Sequence, residues 1–387
     1  MRARLRSWTA VGGRVAAARE LAGFSQRELA ERLGIHRSAL TRVELGQRQL
    51  DALELARIAE LLGRTVEWFL TAPAETVVSR RSGISADQDV QRLEDILDRV
   101  SRDVELLCDV GALTLAPVAL QPGVTTLAEA EAGAAEARAL LGGGDGPLVD
   151  LQAAVERLGL LAFSLDLGPG VIDGGYLRTG QVGVALVNGA AIAGQRRINL
   201  AHELGHHLLA DEYAADVGGG SGRSEREALI DAFAIHFLMP GPSVRSRWAE
   251  LSGEWEYPRQ RLFVLAAEHR VSWSAVVSHA YTLELISRAE RELLQVQRPT
   301  VGDYLEVRGA RFVQELQPPA LAPAYAQAVM RAYRHGVISA DRVVELLHGT
   351  VTPDDLPTPH QMPIEALAPE SGGSSDLADH GAVPKRF

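Results

Sequence analysis

The stretch Ala201-His202-Glu203-Leu204-Gly205-His206-His207 carries the pattern H-E-x-x-H. Two imidazoles four residues apart lie on one face of a helix and can hold one zinc ion. The glutamate between them would lie beside that metal, where it can take a proton from the attacking water and later give it to a leaving amine. The stretch therefore predicts one Zn²⁺ per chain and the chemistry of a zinc-dependent peptidase, with Glu203 as general base.

The residues around this stretch predict a strand that leads into the metal helix. The run Val182-Gly183-Val184-Ala185-Leu186-Val187 is apolar and ends at the turn signal Asn188-Gly189. Leu200, Leu204 and Leu208 recur at helical spacing within a helix expected over residues 195–210. This leucine face would pack on the core while the histidines line another side. We expect a mainly α-helical fold with a small β-sheet, an α+β class.

A second predicted helix offers the third ligand that a catalytic zinc requires. It begins near Glu225 and is stopped by Pro240. Glu227 and Asp231 are one turn apart on one face, so Glu227 can ligate the metal while Asp231 accepts a hydrogen bond from the far nitrogen of a ligating histidine. Glu225 and His236 are rotated to roughly the opposite side and are weaker candidates.

Together these motifs resemble the ImmA/IrrE family of bacterial metallopeptidases. The resemblance covers roughly residues 125–285 and rests on H-E-L-G-H followed by a glutamate helix that ends in F-A-x-x-F-L-M-P. It implies a zincin-like fold and a gluzincin-like site, and several family members cut a helix-turn-helix repressor. Asp231 replaces the usual Asn, and Ile198-Asn199 replaces the usual Phe-Thr. The family roles, carried over residue by residue, are His202, His206 and Glu227 as zinc ligands and Glu203 as general base.

Other interpretations of the same helix stay open. The site could be a metal or ligand sensor without proteolysis, or a remnant in which only helix packing remains. His207 is rotated about 100° from His206 and is interpreted as a neighbour with no metal role. The sequence does not single out a residue that polarises the scissile carbonyl; Tyr213, Tyr257 and His207 are the candidates.

Residues 12–70 show five short amphipathic blocks separated by turns, which predict a small helical domain. The predicted helices cover residues 13–22, 26–33, 37–45, 51–62 and 66–70. Ser25 and Glu28 form a capping box before the second helix. Gly34 allows the tight turn between the second and third helices. This order of elements predicts a helix-turn-helix at the centre of the domain.

The sequence Ser25-Gln26-Arg27-Glu28-Leu29-Ala30, with Gly34-Ile35 and residues 40–48 after it, resembles the XRE, or Cro/repressor-like, DNA-binding family. The resemblance implies that the helix after Gly34 enters the major groove of an operator in double-stranded DNA. His36 replaces the usual small residue that caps this helix. The residues expected to contact DNA are Gln26, Arg37, Ser38, Thr41 and Arg42.

The charge distribution agrees with a DNA-binding N-terminal domain. Residues 1–75 hold twelve arginines and nine acidic residues, a net charge of +3, whereas the whole chain carries −11. An alternative is that this domain binds a protein partner, as in phage-type or antitoxin regulators.

Residues 90–107 carry a heptad stripe of Val90, Leu93, Leu97, Val100, Val104 and Leu107. Such a stripe suits a short coiled coil that pairs two DNA-binding domains into a homodimer, as a palindromic operator requires. Packing of the same helix on the peptidase domain is the equal alternative.

The chain is predicted to have five parts. They are a helix-turn-helix domain over 1–75, a linker over 76–123 with a helix at 87–109, the ImmA/IrrE-like peptidase domain over 124–295, C-terminal helices over 296–356 and a disordered tail over 357–387. The sequence has no signal peptide pattern and no apolar run long enough for a membrane span, so we expect a cytoplasmic protein without membrane contact. The predicted function is a DNA-binding transcriptional regulator whose peptidase cuts a regulatory protein, either a partner repressor or the chain itself.

Overall fold

A computed structural model describes residues 5–71, 76–80, 87–115, 123–168, 172–179, 182–209 and 220–358. Most of the predicted tail, from residue 359 onwards, lies outside these residues. Within the described ranges the α-helices are α1 Trp8–Leu21, α2 Gln26–Leu33, α3 Arg37–Glu44, α4 Ala52–Leu61, α5 Val66–Leu70, α6 Asp87–Asp109, α7 Leu127–Leu140, α8 Leu151–Arg157, α9 Ala193–Leu208, α10 Gly220–Leu238, α11 Gly241–Leu251, α12 Pro258–His269, α13 Trp273–Thr282, α14 Arg288–Val296, α15 Val301–Arg308, α16 Pro323–Arg334 and α17 Ala340–Leu346. The strands are β1 Thr76–Arg80, β2 Leu160–Leu165, β3 Ile172–Thr179 and β4 Val182–Asn188. The predicted class, mainly α with a small sheet, is confirmed.

Helices α1 to α5 form the N-terminal domain around one apolar core. Ser25 caps α2 and exchanges hydrogen bonds with Glu28, which is the predicted capping box. Gly34 ends α2 with a φ of 69°, a left-handed conformation that glycine adopts without steric strain. The core of this domain includes Val15, Leu29, Leu40, Ile58 and Phe69.

The four strands form one mixed sheet in the order β1-β3-β4-β2. β2 runs parallel to β4, whereas β3 is antiparallel to both β4 and β1. At the outer edge of β2, the backbone of Ser164 exchanges hydrogen bonds of 2.8 and 2.9 Å with Ala320. The sequence predicts β4 but not the other three strands.

Helices cover both faces of the sheet, so the middle of the chain is a three-layer structure. On one face, Ala185 and Val187 of β4 join the core that contains Leu200, Leu204 and Leu208 of α9. On the other face, Val184 and Leu186 of β4 join a second core with α6, α16 and α17. The apolar side of α9 therefore holds this helix rigidly against the sheet, which fixes the side chains that α9 presents elsewhere.

The heptad stripe of α6 is buried inside the chain. Leu93, Leu97, Val100, Val104 and Leu107 are each at most 1% exposed and belong to the second core. Ser101 of α6 is hydrogen-bonded to Thr179 of β3. The packing alternative thus describes this helix, and a coiled coil would need a different surface.

The helices after residue 258 continue the two cores. Val264, Val276 and Tyr304 of α12, α13 and α15 lie in the core that contains α9. Tyr325 and Val343 of α16 and α17 lie in the core that contains α6. In the described part of the chain, no helix is long and apolar enough to cross a membrane.

Candidate metal centre and candidate nucleic-acid interface

The N-terminal half of α9 is fixed by buried arginines. Arg197 is fully buried, pairs with Glu315 and donates a 2.8 Å hydrogen bond to the carbonyl of Leu148. Arg196 donates to the carbonyls of Gly189 and Ala191 at 3.0 and 2.9 Å. These bonds join the first half of α9 to three separate segments, which fixes the position of its second half, where the H-E-x-x-H residues lie.

His202, His206 and Glu227 bring one ligand atom each to within 4.8 Å of one another. The Nε2 atoms of the two histidines are 3.1 Å apart, and Glu227 Oε2 lies 3.2 Å from the first and 3.8 Å from the second. His206 is buried, whereas the side chain of Glu227 is 32% exposed, so the cluster opens to solvent on one side. Two imidazole nitrogens and one carboxylate are the donor set of a catalytic zinc site with one open position. The residues present therefore fit a single divalent metal.

Asp231, one turn after Glu227 on α10, sets the orientation of His202. Its Oδ1 lies 2.8 Å from Nδ1 of His202, so Nδ1–H donates and Nε2 faces the cluster. Burial lowers the pKa of His202, but hydrogen bonds to Asp231 and Glu227 outweigh burial and raise the pKa to about 10. The unliganded cluster therefore favours a positive charge at this position.

Glu203 is fully buried beside the histidines. Its carboxylate lies against β3, because a Cβ built on Gly174 would be 3.1 Å from Oε1 of Glu203 and 2.6 Å from the carbonyl oxygen of Leu186. Asn199, one turn earlier on α9, donates to the carbonyl oxygen of Asp173 at 3.3 Å. The strand β3 and the residue predicted as general base are thus in direct contact.

His207 points into the core and away from the cluster. Its Nδ1 accepts a hydrogen bond from the hydroxyl of Tyr176 at 3.0 Å, and its Nε2 donates to the carbonyl of Leu158 at 3.2 Å. Burial and the charge of Arg178 lower the pKa of His207 to about 4, so the ring is neutral at pH 7. Both ring nitrogens are engaged, which suits a structural role joining α9 to β3.

The other candidate residues lie outside the cluster. Glu225 is exposed on α10, and His236 lies 3.3 Å from Glu131. Tyr257 precedes α12 and is 64% exposed, whereas Tyr213 lies outside the described residues.

Gly174 and Tyr176, which connect β3 to α9, were not predicted from the sequence. Gly174 is followed by Gly175 inside a strand, and glycine in a strand marks a place where another group approaches closely. That pair was the available signal. Nothing local in the sequence indicates the bond between Tyr176 and His207.

The helix α3 presents three of the predicted DNA-contacting residues to solvent. Arg37, Ser38 and Arg42 are exposed. His36 precedes this helix, and its side chain makes no capping hydrogen bond. An exposed arginine pair on the second helix of a helix-turn-helix suits contacts with base edges and phosphates.

Gln26 and Thr41 are half-buried and bonded to each other. Thr41 donates to Oε1 of Gln26 at 3.2 Å, and Nε2 of Gln26 donates to Glu44 at 2.7 Å. Glu44 is itself buried and forms a salt bridge of 2.6 Å with Arg19. Both residues thus take part in a polar network that sets the angle between α2 and α3.

The described fold defines a protein with a helix-turn-helix domain and a metallopeptidase-like domain that carries H-E-x-x-H on a helix packed against a mixed sheet. Comparison with protein families agrees with this class. A family model described as helix-turn-helix matches residues 15–69, and a model described as IrrE N-terminal-like domain matches residues 155–280. The chain therefore joins an XRE-type helix-turn-helix domain to an ImmA/IrrE-like domain. Comparisons with curated proteins and with solved structures gave no match.

Proposed function

We propose that this protein is a DNA-binding transcriptional regulator with a zinc-dependent peptidase domain that hydrolyses a peptide bond in a regulatory protein. The substrate would be a partner repressor or the chain itself. The observation that carries this proposal is the convergence of His202, His206 and Glu227, with the buried carboxylate of Glu203 on the same helix.

The roles of the residues follow from this arrangement. A bound zinc ion would supply Lewis acidity, which polarises a water molecule and a carbonyl oxygen. Glu203 would accept a proton from the attacking water and deliver it to the leaving amine. Asp231 would hold His202 in the tautomer that presents Nε2 to the metal. The contact of Glu203 with β3 would keep its carboxylate in place during both proton transfers.

For the N-terminal domain we propose that α3 enters the major groove of double-stranded DNA. Arg37, Ser38 and Arg42 would contact bases or phosphates because they are exposed on one helix. Gln26 and Thr41 would position α3 through their mutual hydrogen bond, and would contact DNA from that network. A palindromic operator would require two chains, and the homodimer remains a prediction.

The test compares the wild type with Glu203→Gln, which keeps the three proposed ligands and removes the base. Both purified proteins are assayed for bound zinc and then incubated with the proteome of a deletion strain. New protein N-termini are identified by mass spectrometry. We expect equal zinc contents and N-termini that only the wild type produces. Glu225→Gln, an exposed substitution of the same kind on α10, is the matched control and should cleave like the wild type.

The same two variants separate proteolysis from sensing in the cell. If peptide cleavage is part of the switch, transcript profiles of Glu203→Gln differ from those of the wild type. If Glu203→Gln matches the wild type while the deletion strain does not, the domain is a non-proteolytic sensor and the peptidase proposal is wrong.

A further inference from the structure

The strand β1 comes from the segment between the DNA-binding domain and α6, and it occupies the sheet edge next to Glu203. It pairs antiparallel with β3 in a register that places Val77 opposite Tyr176, Val78 opposite Gly175 and Ser79 opposite Gly174. A Cβ built on Gly174 would lie 3.1 Å from Oε1 of Glu203, so the carboxylate of Glu203 is close to this glycine. The end of β1 is therefore separated from the proposed catalytic carboxylate by a single strand that has no side chain at this point.

The pairing of β1 with β3 becomes irregular at the position nearest to Glu203. Ser79 pairs with Gly174, but Arg80 pairs with Ile172, so Asp173 is an extra residue on β3. The carbonyl and carboxylate oxygens of Asp173 lie 3.3 and 3.2 Å from the side-chain nitrogen of Asn199 on α9. A bulge redirects the backbone and ends regular pairing. The last paired residues of β1 thus lie where the sheet edge turns towards the metal helix.

In the described sheet, the candidate site lies against β3, next to the edge that β1 occupies. The edge formed by β2 is bridged by Ala320. The edge formed by β3 would expose a row of N–H and C=O groups if β1 left it, and such an edge binds extended peptides by adding them as a further strand. An extended substrate segment that approaches Glu203 along the sheet would need the positions that β1 now fills.

We propose that β1 is a built-in competitor, which occupies the edge of β3 in cis and must leave before an extended segment of another protein can pair there. The inference rests on the proposed peptidase function, because that function supplies the reason for a peptide to bind beside Glu203. The occupant of the edge is residues 76–80 of this chain, and the ligand it excludes is an unfolded or loop segment in extended conformation.

The way β1 is tethered makes it an effective competitor. It follows the DNA-binding domain, which ends near Thr71, and it precedes α6, whose stripe is buried against the same sheet. A short tether gives a local concentration on the order of 1 mM, so if the β1 sequence itself binds the edge with an intrinsic dissociation constant of about 0.1 mM, a competing peptide would bind about ten-fold more weakly while β1 is present.

The test measures peptide binding in the full chain carrying Glu203→Gln, so that no cleavage occurs. Val77→Pro/Val78→Pro removes two consecutive N–H groups, one of which faces β3 in any antiparallel register. Val77→Thr/Val78→Thr keeps both N–H groups and the β-branched shape, and is the matched control. The probe is a fluorescent peptide with the sequence of residues 74–82, followed by anisotropy.

We expect the proline variant to bind the probe about ten-fold more tightly than the threonine variant. Amide hydrogen exchange of β3 residues 175–177 should be faster in the proline variant and should slow again when the probe is added. A second variant, in which residues 76–80 are replaced by Gly-Ser-Gly-Ser-Gly, guards against a folding defect peculiar to proline and should behave in the same way.

Equal probe binding by the proline, glycine-serine and threonine variants would overturn the proposal, as would unchanged exchange of β3. This outcome is distinct from failure of the peptidase function. If the variants compete as expected but the chain with Glu203 restored cleaves nothing, the edge proposal stands and the catalytic proposal falls. If the wild type cleaves a protein and the variants cleave it at the same rate, β1 is not a competitor.

Discussion

Replacing Asp231 by alanine is expected to weaken zinc binding about ten-fold without removing a ligand. Asp231 Oδ1 accepts a 2.8 Å hydrogen bond from Nδ1 of His202, and this bond holds the ring so that Nε2 faces His206 and Glu227. Without it, the His202 ring can rotate and its proton can move to Nε2, the nitrogen that should bind the metal. The substitution is therefore expected to lower the affinity for zinc.

The size of the effect follows from the exposure of the carboxylate. Loss of a hydrogen-bond partner behind a metal-binding histidine lowers affinity roughly 10- to 100-fold. The side chain of Asp231 is 70% exposed, and solvent weakens its electrostatic contribution, which places the expectation at the lower end. A ten-fold loss corresponds to about 1.4 kcal/mol. Asp231→Asn keeps an acceptor oxygen without the charge, so its loss should be smaller, about two- to five-fold.

The assay is competition between apoprotein and a chromophoric zinc chelator at fixed pH and ionic strength. Glu225→Ala removes another exposed carboxylate from α10, so it reports the general effect of charge near the site. We expect the order of affinity to be wild type and Glu225→Ala first, then Asp231→Asn, then Asp231→Ala. Equal affinity of Asp231→Ala and the wild type would refute the reasoning, and so would an equal loss in Glu225→Ala.

Three further predictions concern packing and DNA contact. A Cβ at Gly12 would lie 2.2 Å from the carbonyl oxygen of Val43, whereas a Cβ at Gly13 meets nothing within 4 Å. In denaturant unfolding, Gly12→Ala should therefore lower the free energy of unfolding by about 2 kcal/mol, and Gly13→Ala should raise it by about 0.5–1 kcal/mol. Gly174→Ala should destabilise the peptidase domain by about 1–3 kcal/mol and lower zinc-dependent cleavage, because the new Cβ would lie 2.6 Å from the carbonyl oxygen of Leu186 in β4. A normal melting temperature for this variant would contradict the close approach of β4 to Gly174. Arg42→Ala should weaken operator binding about ten-fold and reduce the slope of log affinity against log salt concentration by about one. Fluorescence anisotropy at several salt concentrations measures both quantities, and an unchanged slope would count against a phosphate contact.

Local patterns in the sequence were sufficient to predict the helices that carry the candidate site. Leu200, Leu204 and Leu208 recur at helical spacing, and the helix they predicted is present as α9 with its ends shifted by two residues. Because helix geometry fixes which residues share a face, the four-residue spacing also predicted that the side chains of His202 and His206 meet.

The pairing of strands could not be predicted from local patterns. Thr76-Val77-Val78 is a β-branched run, but its partner β3 lies about a hundred residues later and contains two adjacent glycines that weaken a strand signal. The heptad stripe of α6 is a clear pattern in the sequence, but the pattern does not identify the surface that it packs against. The same apolar spacing suits a partner helix or a sheet, and only the position of β3 and β4 decided between them.

The attachments of the DNA-binding domain indicate which element yields first when that domain is displaced. Arg64 pairs with Asp95 of α6, both side chains being about 10% exposed, and Arg102 of α6 donates a 3.0 Å hydrogen bond to the hydroxyl of Thr71. Separating a largely buried ion pair leaves charges without partners, and α6 also buries five apolar side chains, each worth roughly 1.5–3 kcal/mol. β1 contributes five residues at a sheet edge, and short edge pairing of this kind is worth far less. If the DNA-binding domain were pulled away from α6, we would therefore expect β1 to leave β3 before α6 left the sheet.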